Sequence, residues 1–420
     1  MYGVRMRTVL ISGASVAGLS LAYWLRQRGF HTTLVERAPA LRSGGQAIDI
    51  RGTAREVVER MGIMDAVRAH HTGTHGIAWL NTRGKQVCRM GSDTFGASGS
   101  IVAEIEILRD DLVRILHQTA GRDVEIMYDN VITAMAEGPD GVQVTFAKGK
   151  RRTFDIVVGA DGLRSGVRGL AFGKDTQFVH DLGYYTSIFP AKSTLDFDGW
   201  EFMYNMPAGN GVQGRMAVVY PVGDTGAVRV MLAFVSPELA YDRKDVQAQK
   251  RILADVYAGA GWEVPGLIDQ MWRSDDLYFA RVGEVRVDEW YRGRTVLLGD
   301  SAFGGSMGMG TSMALVGAYV LAGELAVANG DHRAAFAQYD KEMREYVARN
   351  MKRPPGGPRG MAPKTRHGIW MRNKFMSLMP HLPGASKMTG DVEAAANAIT
   401  LKPYVGGGRP TQEGLRSSLG

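Results

Sequence analysis

The chain has a single cysteine, Cys88, among 420 residues, so no internal disulfide forms and no multi-cysteine metal site can be assembled. That usage suits a reducing compartment, and Cys88 itself reads as inert. No continuous apolar run reaches the ~18 residues of a bilayer span, and Met1 to Arg7 leads straight into a strand without a signal-peptide core. A cytoplasmic protein without a membrane partner is therefore expected. An excess of one charge sign is absent from most of the chain. The net charge is +7, from 50 basic and 43 acidic residues, but eight basic residues and no acid fall between Met351 and Gly390, leaving 42 basic against 43 acidic elsewhere. A general nucleic-acid surface is not expected. The basic stretch, interrupted by Pro354, Pro355, Pro358 and Pro363, reads first as a solvated or subunit-contacting face of a monomer or homodimer, and second as a site for an anionic partner.

What is present is enough apolar material, 45% of residues, to bury a sizeable core in two domains or one large composite domain. The chain opens on a diagnostic stretch. Val9 to Ile11 is a short buried-type strand, Gly13 supplies a tight turn, Gly18 lets the following helix approach the strand, and Gly29 stops that helix. A second strand ends on Glu36. This is the layout of a dinucleotide site, with the pyrophosphate on the helix N-terminus at Ser15, Val16 and Ala17 and a carboxylate on the ribose hydroxyls. Ser15 stands where the middle glycine of the pattern is usual.

Downstream, Arg42 and Arg51 flank Gly44-Gly45 in a loop composed to lie against phosphates and a flat ring. Thr53 reads as the N-cap of a helix from Ala54 to Met61. Residues 73 to 107 alternate as strands that leave the first domain and return. Arg109 stands just before the first turn of another helix. Two hairpin strands are expected over Gly121 to Ala134 and Gly141 to Phe146. The strand from Phe154 ends on Asp161-Gly162, bringing a carboxylate and basic groups as far as Arg168 to the crevice where ligands bind in open α/β sheets. Thr176 to Ala280 reads as an antiparallel sheet, rich in aromatics and Met and interrupted by one helix over about Asp242 to Gly259. Such a sheet is a suitable wall for a flat apolar substrate, with Tyr204, Arg215 and Phe234 as candidates. A second diagnostic stretch follows a strand with Gly299-Asp300, then Phe303, Met307, Gly308, Met309 and Gly310, whose extra glycines imply a flexible loop before a long helix to about Asn329. Another helix to about Asn350 and a last one over Thr365 to Leu378 complete the reading.

The glycine turn with Glu36-Arg37, the Asp161-Gly162 strand end and the Gly299-Asp300 loop, in that order, resemble the class A flavoprotein monooxygenases, the group of para-hydroxybenzoate hydroxylase, tetracycline-degrading enzymes and polyketide hydroxylases. The resemblance covers nearly the whole chain. It implies an α/β fold with a Rossmann-like FAD-binding domain (1–72, 100–175 and 281–330), an inserted antiparallel substrate domain (73–99 and 176–280), and C-terminal helices and tail (331–420). It also implies FAD as cofactor, NADPH or NADH and O2 as co-substrates, no metal, and hydroxylation of an aromatic or polycyclic small molecule in secondary metabolism or antibiotic modification. Carried onto this chain, it places the FAD diphosphate at Gly13, Ser15 and Gly18, the adenosine ribose at Glu36, and Arg37 and Arg109 along the adenine and diphosphate side. Asp161 and Gly162 answer to an FAD- and NAD(P)H-associated motif, Asp300 to the ribityl chain or diphosphate, and Gly308 to Gly310 to the flavin pyrimidine edge. Arg42 and Arg51 fall in the loop near flavin or nicotinamide phosphate. The flavin carries the chemistry, so no protein nucleophile is required, and Phe303 and Met307 join the pocket candidates. The loop after Asp300 lacks the proline usual in this family, which keeps open a non-hydroxylating flavoenzyme or an auxiliary flavin-binding protein as alternatives.

Overall fold

Val9, Leu10 and Ile11 are wholly buried because their strand, Thr8–Ser12, runs through the middle of a six-stranded sheet. It pairs in parallel with His31–Val35 on one side and Ile156–Gly159 on the other, and Thr295–Leu297 extends the sheet beyond the latter. Glu125–Met127 adds a further parallel edge beside His31–Val35. This last strand corrects the hairpin expected from Gly121, and only Ile132–Gly138, Gly141–Phe146 and Arg152–Phe154 form a separate antiparallel sheet. A parallel sheet must be covered on both faces. The helix Val16–Arg26 packs between Arg109–Ala120 and Gly310–Val327 to do this. Gly310–Val327 is long and apolar enough by composition to cross a membrane, which the continuous-run criterion did not register, but 78% of it is buried inside the protein. A helix that is apolar on all sides belongs at the centre of a large core.

The computed structural model describes residues 7–404 apart from 42–43, 92–93, 95–102, 104, 122, 224–225, 354–356 and 383–384. Arg42 lies outside the described residues.

The second large sheet has seven strands in the order Tyr278–Val285, Val179–Lys192, Ala227–Val235, Gly214–Pro221, Trp200–Met206, Gly76–Leu80, Gln86–Gly91. All neighbours are antiparallel except Trp200–Met206 with Gly76–Leu80. One face is covered by two helices, Val246–Tyr257 and Val264–Arg273, where one was expected. The Gly259 to Gly261 break hid the second, although a proline in its first turn is an ordinary helix-start signal. The opposite face meets the helix Arg366–Leu378 and the short strand pair Ala47–Asp49 and Glu106–Leu108, and so looks toward the parallel sheet. Thr53 is not the N-cap of its helix. Gly52 holds that position, and the Thr53 hydroxyl donates instead to the carbonyl of Ile399.

Candidate active site

The first turn is built for close approach. Gly13 has φ +105°, and a Cβ there would stand 2.4 Å from the carbonyl oxygen of Ala160, the residue after the neighbouring strand. A Cβ on Gly18 would stand 1.9 Å from the Gly13 oxygen, so the helix can seat on the strand only with glycine there. Ser15 occupies the N-cap of Val16–Arg26 with ordinary extended dihedrals, φ −119° and ψ −162°, and makes no side-chain cap bond. Any L-residue adopts that conformation, which explains why serine replaces the usual glycine without strain. Val16 is buried and Ala17 half-buried at the start of the helix, whose amides favour an anion. Glu36 accepts hydrogen bonds from the amides of Ala14 at 3.0 Å and Ala38 at 2.9 Å, fixing its carboxylate across the mouth of the turn. Arg37 is exposed beside it.

A second layer comes from the adjacent strand ends. Asp161 accepts from the Ser165 hydroxyl at 2.5 Å, the Gly166 and Val167 amides at 2.8 and 3.2 Å, the Ser301 hydroxyl at 3.2 Å and the Ser12 hydroxyl at 3.3 Å. With five donors in place it acts as a latch between three segments. Gly162, at φ +85°, donates its amide to the Ser301 hydroxyl at 3.0 Å. Arg168, expected among the basic groups of the crevice, is fully buried instead. Its guanidinium reaches the carbonyls of Ser301 at 2.9 Å and Leu163 at 2.7 Å and the Asp175 carboxylate at 2.6 Å, tying the Asp161-Gly162 turn to the loop after Gly299. Ser301 and Ser165 escaped the sequence reading because single serines carry no pattern.

Asp300 sits where three backbones meet. A Cβ on Gly299 would lie 3.0 Å from the Ala17 Cβ, and one on Gly310 would lie 3.6 Å from Asp300 Oδ1, so this carboxylate stands between the first turn and the N-terminus of Gly310–Val327. The residue is exposed, and desolvation by the protein packed around the carboxylate raises its pKa. The extra glycines beyond it are not a source of flexibility. A Cβ on Gly304 would stand 2.7 Å from the Asp300 oxygen and one on Gly305 2.6 Å from Glu284 Cα, while the Val285 amide donates to the Gly304 carbonyl at 2.8 Å. They permit tight packing on the strand Tyr278–Val285. Gly308, at φ +80°, is exposed, and Met309 is buried at the N-cap of the long helix.

Arg109 packs under the loop at Gly44-Gly45, and its guanidinium donates to the Gly44 carbonyl at 3.3 Å. Arg51 pairs with Asp49 at 2.9 Å, and its amide donates to the Ser312 hydroxyl at 3.0 Å. Asp49 Oδ2 is 3.6 Å from where a Cβ on Gly308 would be, so this ion pair borders the glycine loop. Behind it stand Glu106, to which the Thr72 hydroxyl donates at 2.6 Å, and Glu201, hydrogen-bonded to Glu106. Burial, then the Glu106 charge, raises the pKa of Glu201 well above the carboxylate range. The Tyr220 hydroxyl accepts from the Ala47 amide at 2.9 Å. None of Asp49, Glu106, Glu201 and Tyr220 was nominated from sequence. Among the described residues no group of three or more His, Cys, Asp or Glu could hold a metal ion.

The pocket candidates need correction. Tyr204, Arg215 and Phe234 lie on the helix-covered face of the seven-stranded sheet. Arg215 donates to the Val256 carbonyl at 2.7 Å, at the C-terminus of Val246–Tyr257 where a cation suits the dipole. Phe234 stacks on Tyr185 at 5.3 Å, and the Tyr204 hydroxyl donates to the Thr82 carbonyl. Phe303 packs on Trp290 at 5.0 Å inside the first core. Met307 alone of the five stays in the cleft-side loop, half-buried. The face toward the parallel sheet presents Trp79, Met203, Met216, Val218, Met231 and Ala233 instead, with Met376 and Met379 facing them from the C-terminal region.

Comparison with known proteins identifies the family and the fold. The FAD binding domain family matches residues 6–353. An uncharacterized protein of Mycobacterium tuberculosis is 41% identical over 347 residues, 82% of this chain and 92% of that one. A flavin-dependent monooxygenase from an unknown prokaryotic organism is 33% identical over 412 residues, 95% of this chain and 99% of that one. Among solved structures, the tetracycline destructase Tet(55) superposes with a TM-score of 0.77 at 32% identity, covering 96% of this chain and 100% of its own. The chain belongs to the class A FAD-dependent monooxygenase family and has the mixed α/β fold of para-hydroxybenzoate hydroxylase-like enzymes.

Proposed function

We propose that this protein uses FAD, a reduced nicotinamide (NADPH or NADH) and O2 to hydroxylate an aromatic, polycyclic small molecule of the tetracycline or polyketide type. The observation that carries the reading is a dinucleotide cradle joined to an apolar, methionine-rich sheet face through the strand pair Ala47–Asp49 and Glu106–Leu108, which packs on that face and on the helix Gly310–Val327. FAD, when bound, supplies the redox and oxygen-activating chemistry. The chain's own residues do the rest. The turn at Gly13 to Gly18 would offer amides to the diphosphate, Glu36, held by the Ala14 and Ala38 amides, would accept from ribose hydroxyls, and Asp300 would accept from the ribityl chain. The loop from Gly304 to Gly310 leads into the N-terminus of Gly310–Val327, which would favour negative charge on a flavin ring bound beside it. Met203, Met216 and Met231 give the substrate a polarizable wall that adjusts its shape and excludes water. That Gly304 and Gly305 are held by backbone contacts favours this reading over a non-hydroxylating one. The test is incubation of FAD-loaded protein with NADPH, heavy-isotope O2 and a panel of polycyclic phenols that includes tetracycline. A product heavier by one labelled oxygen atom is expected. Nicotinamide oxidation that yields only hydrogen peroxide across the whole panel would defeat the reading.

A further inference from the structure

The helix Arg366–Leu378 is apolar on two sides. Its inner side packs Ile369, Asn373 and Met376 toward the seven-stranded sheet. Arg372 clamps it there, donating to Asn205 Oδ1 at 2.5 Å and to the Met361 carbonyl at 3.3 Å, with its pKa pushed down by burial to about 10. At 3.6 residues per turn, the opposite side carries Trp370, Met371, Lys374, Phe375 and Leu378 within an arc of about 140°. Trp370 is 61% exposed, Met371 54%, and Phe375 and Leu378 46% each. The outer side of a surface helix is ordinarily polar, and contiguous exposed apolar side chains mark an interaction face.

Charge decides what kind of partner fits. Lys364, Arg366 and Lys374 are exposed around these side chains, and the sequence has no acid from Met351 to Gly390. Two copies meeting symmetrically through this face would bring like charges together. An anionic surface with an apolar interior satisfies both halves, since indole, phenyl and thioether groups enter the headgroup boundary while ammonium and guanidinium groups remain at the phosphates.

We propose that the outer face of Arg366–Leu378 docks this protein reversibly on an anionic lipid surface. The helix lies flat rather than spanning, and it places the lipid on the far side of the methionine-rich wall. Apolar compounds dissolved in the lipid would then be presented beside the cleft.

The test is flotation of the full-length, FAD-loaded protein with vesicles of phosphatidylcholine alone or with about one-third phosphatidylserine, a readout that needs no turnover and so stands apart from the assignment of the reaction. Retention is expected only on the anionic vesicles, falling about tenfold or more for W370S/F375S and for K364E/R366E/K374E, and falling with added salt. An unchanged flavin absorbance per protein shows that the variants remain folded. Equal retention on both vesicle types, or none, overturns the proposal. A dimer in sedimentation that W370S/F375S dissolves would assign the face to a second copy and overturn it as well. So would retention on immobilised polyglutamate without retention on vesicles, which would assign it to an acidic protein.

Discussion

The two faces of the seven-stranded sheet are made from the same strands, yet one is packed with aromatic rings and the other with methionines. Along Arg215 to Tyr220, Arg215, Ala217 and Val219 point to the helices Val246–Tyr257 and Val264–Arg273, and Met216, Val218 and Tyr220 point to the opposite face. Alternation along a strand separates two sets of residues without saying which set meets which neighbour. The helix-covered face is filled with rigid rings, Tyr185, Phe234 and Phe279, while the cleft face relies on Met203, Met216 and Met231. Rigid aromatics specify a single packing. Methionines fill irregular space and tolerate change.

The contrast breaks most readily at Phe234. Removing this ring from the aromatic stack in Phe234→Ala should cost about 3–5 kcal/mol, read as a lowered denaturation midpoint, with the substrate preference of the folded fraction unchanged. A change in preference at that position would mean that the faces have been assigned the wrong way round. Arg215→Leu removes the charged donor from the Val256 carbonyl and leaves only the Asn210 amide on it, and should cost about 1 kcal/mol, again with no change in substrate KM. Met231→Ala, on the other face and half-buried, should behave oppositely. Its stability loss stays near 1–2 kcal/mol, while substrate KM rises about tenfold with nicotinamide-driven flavin reduction unaffected.

The smallest effect concerns the polar end of the cleft face. Glu201 has a folded-state pKa above its unfolded value, so the native chain keeps that proton longer than the unfolded chain does. Stability from this group is therefore greatest in acid and falls as pH rises from the ordinary glutamate range through the raised value. Glu201→Gln removes the loss and keeps a donor toward Glu106. The variant should match the parent in acid and melt about 1–2 °C higher at neutral pH. A variant that loses stability at neutral pH would show that Glu201 is ionised and paired there.

The parts legible in the sequence are those that depend on local backbone geometry. Gly13 is dictated by the positive φ of its own turn and Gly18 by its contact with Gly13, and the long apolar helix after Gly310 follows from composition. The seven-stranded sheet was legible as strands for the same reason. Parts that depend on long-range contact were not. Arg168 reads as a crevice cation until its carbonyl partners, 133 residues away at Ser301, are seen. Gly304 and Gly305 read as a flexible pair until the neighbouring strand is placed against them. Glu106 and Glu201 belong to separate strands and have no shared signature. Ser15 teaches the converse, since a departure from the glycine pattern has no structural consequence where the backbone is already extended.

On the function proposed above, a nicotinamide reduces FAD held at the first glycine turn, and the flavin acts on a bound ring system. The most direct test is the visible spectrum of the purified protein, followed without oxygen as NADPH is added, with and without polycyclic phenols, and again after air is admitted. A flavin band that NADPH bleaches, faster with a bound substrate, and that returns in air together with a hydroxylated product is expected. A protein that carries no flavin when purified and retains none after incubation with FAD would contradict it, as would a flavin that NADPH and NADH both leave oxidised with every compound tested.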